Sequence, residues 1–375
     1  MPILLDEQDG IIAGHGRVLA AQKLEIETVP CMVAVGWSEA KKRAYILADN
    51  QLPQLAGWDL DVLKVELGEL NELDFDLGLT GFERQAIDDW LAPPAEEKAK
   101  ELADADAFDV IKDVPVTRGG DIWLLGSHRV ICGDSLEVDV VGVLLGGAKA
   151  QVTFTDPPYN VDVASVNENP RKRNDGKSIE NDSMDPAAWK AFCTAVAALV
   201  STWTDGCVYV CHAPGPDGRV MGMALDIAMH ASTTVLWVKD VFTLGRGKYH
   251  NRYEPIWFGW PGDGTRFTDA RDLDNVWEIP RPRASEEHPT MKPTAIMARA
   301  MEHASAIGDI VLDPFLGSGS TLMAAEILGR ACYGIEIEPL YVDVVVRRWQ
   351  EKTGMSATLE AGGATFDAVA HERGE

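Results

Sequence analysis

Residues 309–337 place a strand, a glycine-rich turn, a helix and a second strand in immediate succession. No other stretch restricts the architecture as much. Asp309-Ile310-Val311-Leu312-Asp313 is a short apolar run of strand length. Pro314-Phe315-Leu316-Gly317-Ser318-Gly319-Ser320-Thr321 follows as the turn. Leu322 to Leu328 has amphipathic helical spacing, and Ala331 to Ile337 reads as the second strand, with Glu336 near its C-terminal end. Such a β-α-β unit predicts an α/β domain. Glycines in the turn allow close backbone approach to a ligand, and an acid about twenty residues later can accept hydrogen bonds from ribose hydroxyls. Neither G-x-G-x-x-G nor Gly-Lys-Ser/Thr is present, which disfavours nicotinamide dinucleotides and nucleoside triphosphates.

A second feature lies upstream. The hydrophobic stretch Val152-Thr153-Phe154-Thr155 leads into Asp156-Pro157-Pro158-Tyr159. Asp and two prolines suit an ordinary turn. At a strand end they also form a rigid acceptor beside an aromatic platform, suited to an exocyclic amine on a flat base. Taken alone, the tetrapeptide leaves both readings open.

Composition sets the bounds. A chain of 375 residues has room for two or three domains, and 46% hydrophobic residues support a well-buried core. It holds no apolar run long enough for a membrane helix, and Met1-Pro2-Ile3-Leu4-Leu5-Asp6-Glu7 lacks the basic region of a secretory signal, so a cytoplasmic protein is expected. The cysteines at 31, 132, 193, 207, 211 and 332 are scattered. Cys207, Cys211 and His212 hint at metal ligands, but the spacing is not C-x-x-C and no second pair follows. Reduced thiols beside a buried strand are expected instead, and no metal.

The net charge of −25 argues against tight non-specific binding to a phosphate backbone. The imbalance is greatest in residues 1–113, with 24 acids against 10 bases. Local basic clusters lie further on: Arg171-Lys172-Arg173 with Lys177, Arg246 with Lys248, and Arg281 with Arg283. Singly, each is better read as solvated loop charge. Together they are the candidate DNA-contacting residues.

Composition shifts divide the chain into residues 1–91, a Pro- and Ala-rich acidic linker at 92–113, a larger unit at 114–356, and a Gly/Ala-rich flexible tail at 357–375. In the first unit, Ile11-Ile12-Ala13-Gly14-His15-Gly16-Arg17 reads as strand, glycine turn and helix start, with the helix reaching about Leu24. Val29–Val35 reads as a strand. Helices are expected over 39–47, capped by Ser38, and over 59–70 and 83–91.

Two resemblances give these motifs a frame. The segments I-I-A-G-H-G-R (11–17) and L-A-D-N-Q-L (47–52) resemble the ParB/sulfiredoxin-like fold, a small α+β domain. That resemblance makes Gly14, His15, Gly16 and Arg17 a phosphate-binding turn. It also implies that the chain begins too late to include most of the family's preceding strand.

In the larger unit, D-P-P-Y (156–159) and D-P-F-L-G-S-G-S-T (313–321) resemble the motifs of DNA amino-methyltransferases that use S-adenosylmethionine. The catalytic motif precedes the cofactor loop, the order of the β class. The implied fold is a Rossmann-like methyltransferase sheet. Catalytic roles fall on Asp156, Pro157, Pro158 and Tyr159. Cofactor contacts fall on Asp134 (in G-D-S, 133–135), Lys292 (in H-P-T-M-K-P, 288–293), Asp313, Phe315, Gly317, Gly319, Ser320, Thr321 and Glu336. Tyr253-Glu254-Pro255-Ile256 resembles the segment lining the base pocket. The long polar segment 161–182 is expected to close over double-stranded DNA, and residues 240–287, with Trp260, Phe267 and Trp277, to carry target recognition.

In the family these motifs resemble, Ser in place of the first Asp favours cytosine, so Asp156 favours adenine N6 as the target amine. Cytosine N4 is the alternative within the family, and a non-catalytic ParB-like DNA-binding adaptor is the alternative outside it. A homodimer and a restriction-modification setting both fit the resemblance, and these residues select neither.

Overall fold

The computed structural model describes residues 2–38, 41, 42, 45, 63–65, 67, 68, 70, 77–80, 82, 84–91, 95–107, 114–160, 183–243, 249–262, 267, 268, 273–281 and 292–374. It divides into two compact units, Met1–Leu91 and Ala92–Glu375.

In the first unit, β1 (Ile3–Leu5) pairs antiparallel with β2 (Ile11–Ala13) and parallel with β3 (Cys31–Val33). The Asp6 carboxylate accepts the N–H groups of Gln8 and Gly10 at 2.9 and 2.7 Å, which tightens the turn between β1 and β2. Gly14 follows β2 with φ of 101°, a left-handed conformation natural to glycine, and α1 (His15–Lys23) begins at the next residue. Strand, turn and helix thus fall where the sequence places them. A short strand, β1, also precedes them; at three residues it is too short for periodicity to reveal. The helix expected at the end of the unit is α2 (Arg84–Leu91). Most of the expected helix at 39–47, and the segment 47–52, lie outside the described residues.

The second unit opens with α3 (Ala95–Ala105), β4 (Ile122–Leu125), β5 (His128–Cys132), α4 (Val138–Leu145) and β6 (Ala150–Thr155). It continues through α5 (Pro186–Trp203), β7 (Thr204–Cys211), α6 (Pro216–Ala228), β8 (His230–Thr243), β9 (Asn251–Trp260) and β10 (Val276–Glu278). The β-α-β region follows as α7 (Thr294–Ala304), β11 (Ile310–Asp313), α8 (Ser320–Ile327) and β12 (Ala331–Glu336), then α9 (Pro339–Thr353), β13 (Thr358–Leu359) and α10 (Phe366–Arg373). No described helix is long and apolar enough to cross a membrane.

The ten strands form one sheet in the order β10-β8-β9-β7-β6-β11-β12-β5-β4-β13. The block β7-β6-β11-β12-β5 is parallel throughout, whereas β9 and β4 run antiparallel to their neighbours. Parallel strands must be covered on both faces, and these are. Val152, Phe154 and Val311 pack with α7, α8 and α9, while Ala150 and Leu312 pack with α4, α5 and α6. Local signals fix the helices: α5 begins with Pro186 behind Asp185, whose carboxylate accepts the N–H groups of Ala187 and Ala188.

Neighbours β6 and β11 diverge, since the chain proceeds from β6 to β7 on one side and from β11 to β12 on the other. Such a switch point opens a crevice at the C-terminal ends of the two strands. Asp156 follows β6 and the glycine turn follows β11, so both motifs meet there.

Three expectations change. The linker at 92–113 contains α3, with Leu102 and Ala105 in the core and the Ala105 carbonyl accepting from Arg348 at 2.8 Å. Its acidic, Ala-rich composition concealed a helical stripe at 98, 101, 102 and 105. The expected flexible tail is instead folded over residues 357–374, which carry β13 and α10. Gly362 and Gly363, both at positive φ, turn the chain so that Phe366 packs edge-on against Trp123 at 5.0 Å. The range 240–287 is in part sheet framework: it includes β9 and β10, Trp277 is fully buried, and Trp260 and Phe267 pack against the core.

Candidate active site

The first end of the site is built around Asp156. Its Oδ2 is bonded to the Lys292 ammonium. Its Oδ1 is buried and has no hydrogen-bond partner among the described residues. An unsatisfied buried oxygen costs roughly 1–3 kcal/mol, so this atom is poised to gain from a donor. Lys292 also lies 3.3 Å from Glu254 and 4.9 Å above the Tyr159 ring. Glu254, on β9, holds Lys239 of β8 as well and accepts the Tyr159 hydroxyl at 3.4 Å.

Electrostatics follow from this packing. Burial works against the Lys292 ammonium, but Asp156 and Glu254 outweigh it and hold the lysine above its ordinary range. Burial likewise opposes the Glu254 carboxylate, yet Lys292 and Lys239 bring it down to about 2. Burial first, then the Asp156 and Glu254 charges, keep Tyr159 a neutral phenol far above its usual range.

Asn160, at φ of 58°, is paired with Met184. The Met184 N–H donates to its Oδ1 at 2.6 Å, and its Nδ2 donates to the Met184 carbonyl at 3.3 Å. This two-bond clamp ties the residue after Tyr159 to the approach to α5.

The glycine-turn end is ordered by Asp313. Its carboxylate accepts the hydroxyls of Thr155 at 2.8 Å and Thr321 at 2.6 Å, and the Phe315 N–H at 3.1 Å. Burial pushes Asp313 up to about 6 against those bonds. Gly317 and Gly319 have φ of 54° and 88°, and a Cβ on Gly319 would sit 2.9 Å from Val345 of α9. The Gly317 N–H reaches the Glu336 carboxylate at 2.7 Å, and burial raises Glu336 to about 7. Gly133 donates to the Glu336 carbonyl at 2.9 Å, which brings the 133–134 segment to the same strand end. Asp134 caps the following turn through the Leu136 N–H at 2.9 Å.

Most expected residues therefore gather at the switch point. Asp313 and Thr321 face each other inside the loop, with Phe315 against Phe192. Ser320 is buried, and its Oγ has no hydrogen-bond partner among the described residues. Lys292, expected on the cofactor, is bonded to Asp156 and pairs with Glu254. Arg281 gives its backbone N–H to Asp240 at 3.0 Å. Arg171, Lys172, Arg173, Lys177, Arg246, Lys248 and Arg283 lie outside the described residues. Sequence reasoning missed Lys239 and Thr155. A signal for Lys239 existed: it continues the alternation of Val235 and Trp237, two buried residues, so a lysine was placed on an inward face.

Cys207 and Cys211 are buried thiols on β7, and among the described residues no group of three or more His, Cys, Asp or Glu could hold a metal ion.

A parallel-centred sheet that brings Asp156 and a glycine loop to one switch point defines an open α/β class whose ligands sit in that crevice. Residues 150–347, more than half the chain, match the DNA methylase family that spans the N6 and N4 enzymes, and the chain belongs to it. Residues 61–119 match the ParB-methyltransferase helix-turn-helix domain. Type II methyltransferase M2.LlaDCHI of Lactococcus lactis subsp. cremoris is 32% identical over 123 residues, covering 32% of this chain and 42% of that protein. DNA adenine methyltransferase YhdJ of Escherichia coli K12 is 44% identical over 87 residues, covering 22% of this chain and 30% of that protein. The match thus spans less than half the length of either relative. Among solved structures, the M1.HpyAVI–SAM complex is 20% identical with a TM-score of 0.44, covering 59% of this chain and 98% of that one.

Proposed function

We propose that the protein transfers a methyl group from S-adenosylmethionine to the N6 amine of adenine in double-stranded DNA. The observation that carries this reading is the buried, unpartnered Oδ1 of Asp156 at the end of β6, beside the glycine loop that ends β11.

The residues at the second motif fit that cofactor. Ser320 Oγ is a buried orphan at the first turn of α8, the missing Cβ of Gly317 opens onto free space, and the Glu336 carboxylate stands at the end of the next strand to accept ribose hydroxyls. The cofactor would supply an electrophilic sulfonium methyl group; as the amine takes it the S–CH3 bond breaks, the neutral thioether leaves, and the amine's surplus proton passes to solvent.

The chain does the rest by positioning. An aryl amine is a weak nucleophile because its lone pair is delocalised into the ring. Asp156 Oδ1 and the Pro157 carbonyl each accept one N–H, which draws the nitrogen towards tetrahedral geometry and frees the lone pair. Proline suits the second acceptor, since its fixed φ and missing N–H leave only a carbonyl to offer. Tyr159 stacks on the extruded base. This chemistry needs no nucleophilic cysteine. Support for adenine comes from Asp156 as the first residue of the motif and from the similarity to an adenine methyltransferase.

Incubation of the full chain with DNA and labelled S-adenosylmethionine, followed by nucleoside mass spectrometry, tests the reading. N6-methyladenine is expected. N4-methylcytosine alone would replace adenine by cytosine as the substrate.

A further inference from the structure

The acceptor carboxylate stands at one end of a line of alternating charges. Lys239 of β8, Glu254 of β9, Lys292 just before α7 and Asp156 after β6 are bonded in that order. The lysine side chains are only 4% and 5% exposed. A buried ammonium costs several kcal/mol unless it is paired and hydrogen-bonded, and here both lysines are.

An ammonium beside Asp156 looks unhelpful at first. Methyl transfer leaves positive charge on the amine, which Lys292 would repel. Glu254 answers this, because two lysines and two carboxylates make the line neutral overall. The geometry of Lys292 then has two consequences. It occupies Oδ2 and leaves only Oδ1 for an incoming donor. It also sits over the Tyr159 ring, while Glu254 takes the Tyr159 hydroxyl. Lys292 thus covers one face of the ring, so a stacked base would have to take the other.

We infer that Lys292 and Glu254 are positioning residues for the transfer, fixing which oxygen of Asp156 meets the amine and which face of Tyr159 meets the base. The inference rests on Asp156 being the amine acceptor. It gives Lys292 a role towards the target base rather than towards the cofactor.

The test uses the full chain and the variants K292M, K292R, E254Q and K292M/E254Q. Cofactor affinity is measured by calorimetry, and kcat and the KM for DNA by steady-state methylation. K292M is expected to keep cofactor affinity and DNA KM within about threefold of wild type while kcat falls on the order of 100-fold, the usual effect of an ångström of misplacement. K292R, which keeps the charge and the donors, is expected to recover part of kcat. E254Q is expected to lower kcat too, and the double variant to lose less than the product of the single losses, as for residues acting in one network. If K292M fails to fold, K292R and E254Q carry the test, since each is expected to lower kcat with cofactor affinity unchanged. Loss of cofactor affinity with unchanged kcat in K292M or K292R would overturn the inference, as would wild-type kcat in K292M or E254Q. A D156A variant separates the two levels. Wild-type activity in D156A removes the acceptor reading itself, whereas an inactive D156A beside a fully active K292M removes only the role given to Lys292.

Discussion

Thr155 donates its hydroxyl to the Asp313 carboxylate at 2.8 Å, and this bond ties the strand that leads into Asp156 to the strand that opens the glycine loop. Thr155 is the last residue of β6 and Asp313 the last of β11. The two motifs are 157 positions apart in sequence and share one hydrogen bond at their roots.

Thr155→Val is expected to leave the Asp313 carboxylate short of a donor. The loss should be about 1–3 kcal/mol of stability, read by urea denaturation, and should lower both cofactor affinity and kcat. Wild-type stability would show that the bond contributes nothing.

Gly319→Ala adds a Cβ 2.9 Å from Val345 and forces a residue at φ of 88° into left-handed backbone. A cost of about 1–3 kcal/mol is expected. Gly317→Ala, whose Cβ meets nothing within 4 Å, should cost less. Thermal unfolding of the two variants side by side checks the order.

The difference between these glycines could not be read from sequence, and it marks the limit of what was legible. Strand, turn, helix and strand at 309–337 were visible because local propensity and periodicity specify them, whereas 156–159 stood out through its resemblance to the methyltransferase motif. Pairings across the sheet were not. Nothing in Lys292 announces a bond to Asp156, because only the order of strands brings them together. Composition misled at both flanks. The acidic stretch at 95–105 is a docked helix whose apolar stripe is narrow, and Gly362-Gly363 form a turn rather than loosening the chain.

The C-terminal region should accordingly be structural. Phe366 is fully buried against Trp123, so Phe366→Ala is expected to lower stability by about 3–5 kcal/mol. Deletion of residues 357–375 should do at least as much. A truncated chain that melts like the full one would return the segment to the status of a loose tail.

Cofactor binding should depend on pH through Glu336. Burial raises this carboxyl to about 7. Ribose hydroxyls donate to the ionised form, so affinity should fall as pH drops through 7 and level off above it. Ionisation is the favourable state for binding, and the dependence should therefore run upward with pH. Calorimetry between pH 5.5 and 8.5 (roughly the carboxyl's titration range) reads this slope. Glu336→Gln should bind more weakly and with a flatter profile, and an unchanged slope in that variant would assign the dependence to another group.

The most direct measurement is nucleoside mass spectrometry of DNA incubated with S-adenosylmethionine and either the wild-type chain or Asp156→Ala. N6-methyladenine is expected with the wild type. With the variant, the signal should fall by at least about 100-fold, the scale of losing a positioned acceptor, while calorimetry shows cofactor affinity retained. Equal methylation by the two proteins would contradict the assignment of Asp156 as the group that receives the amine.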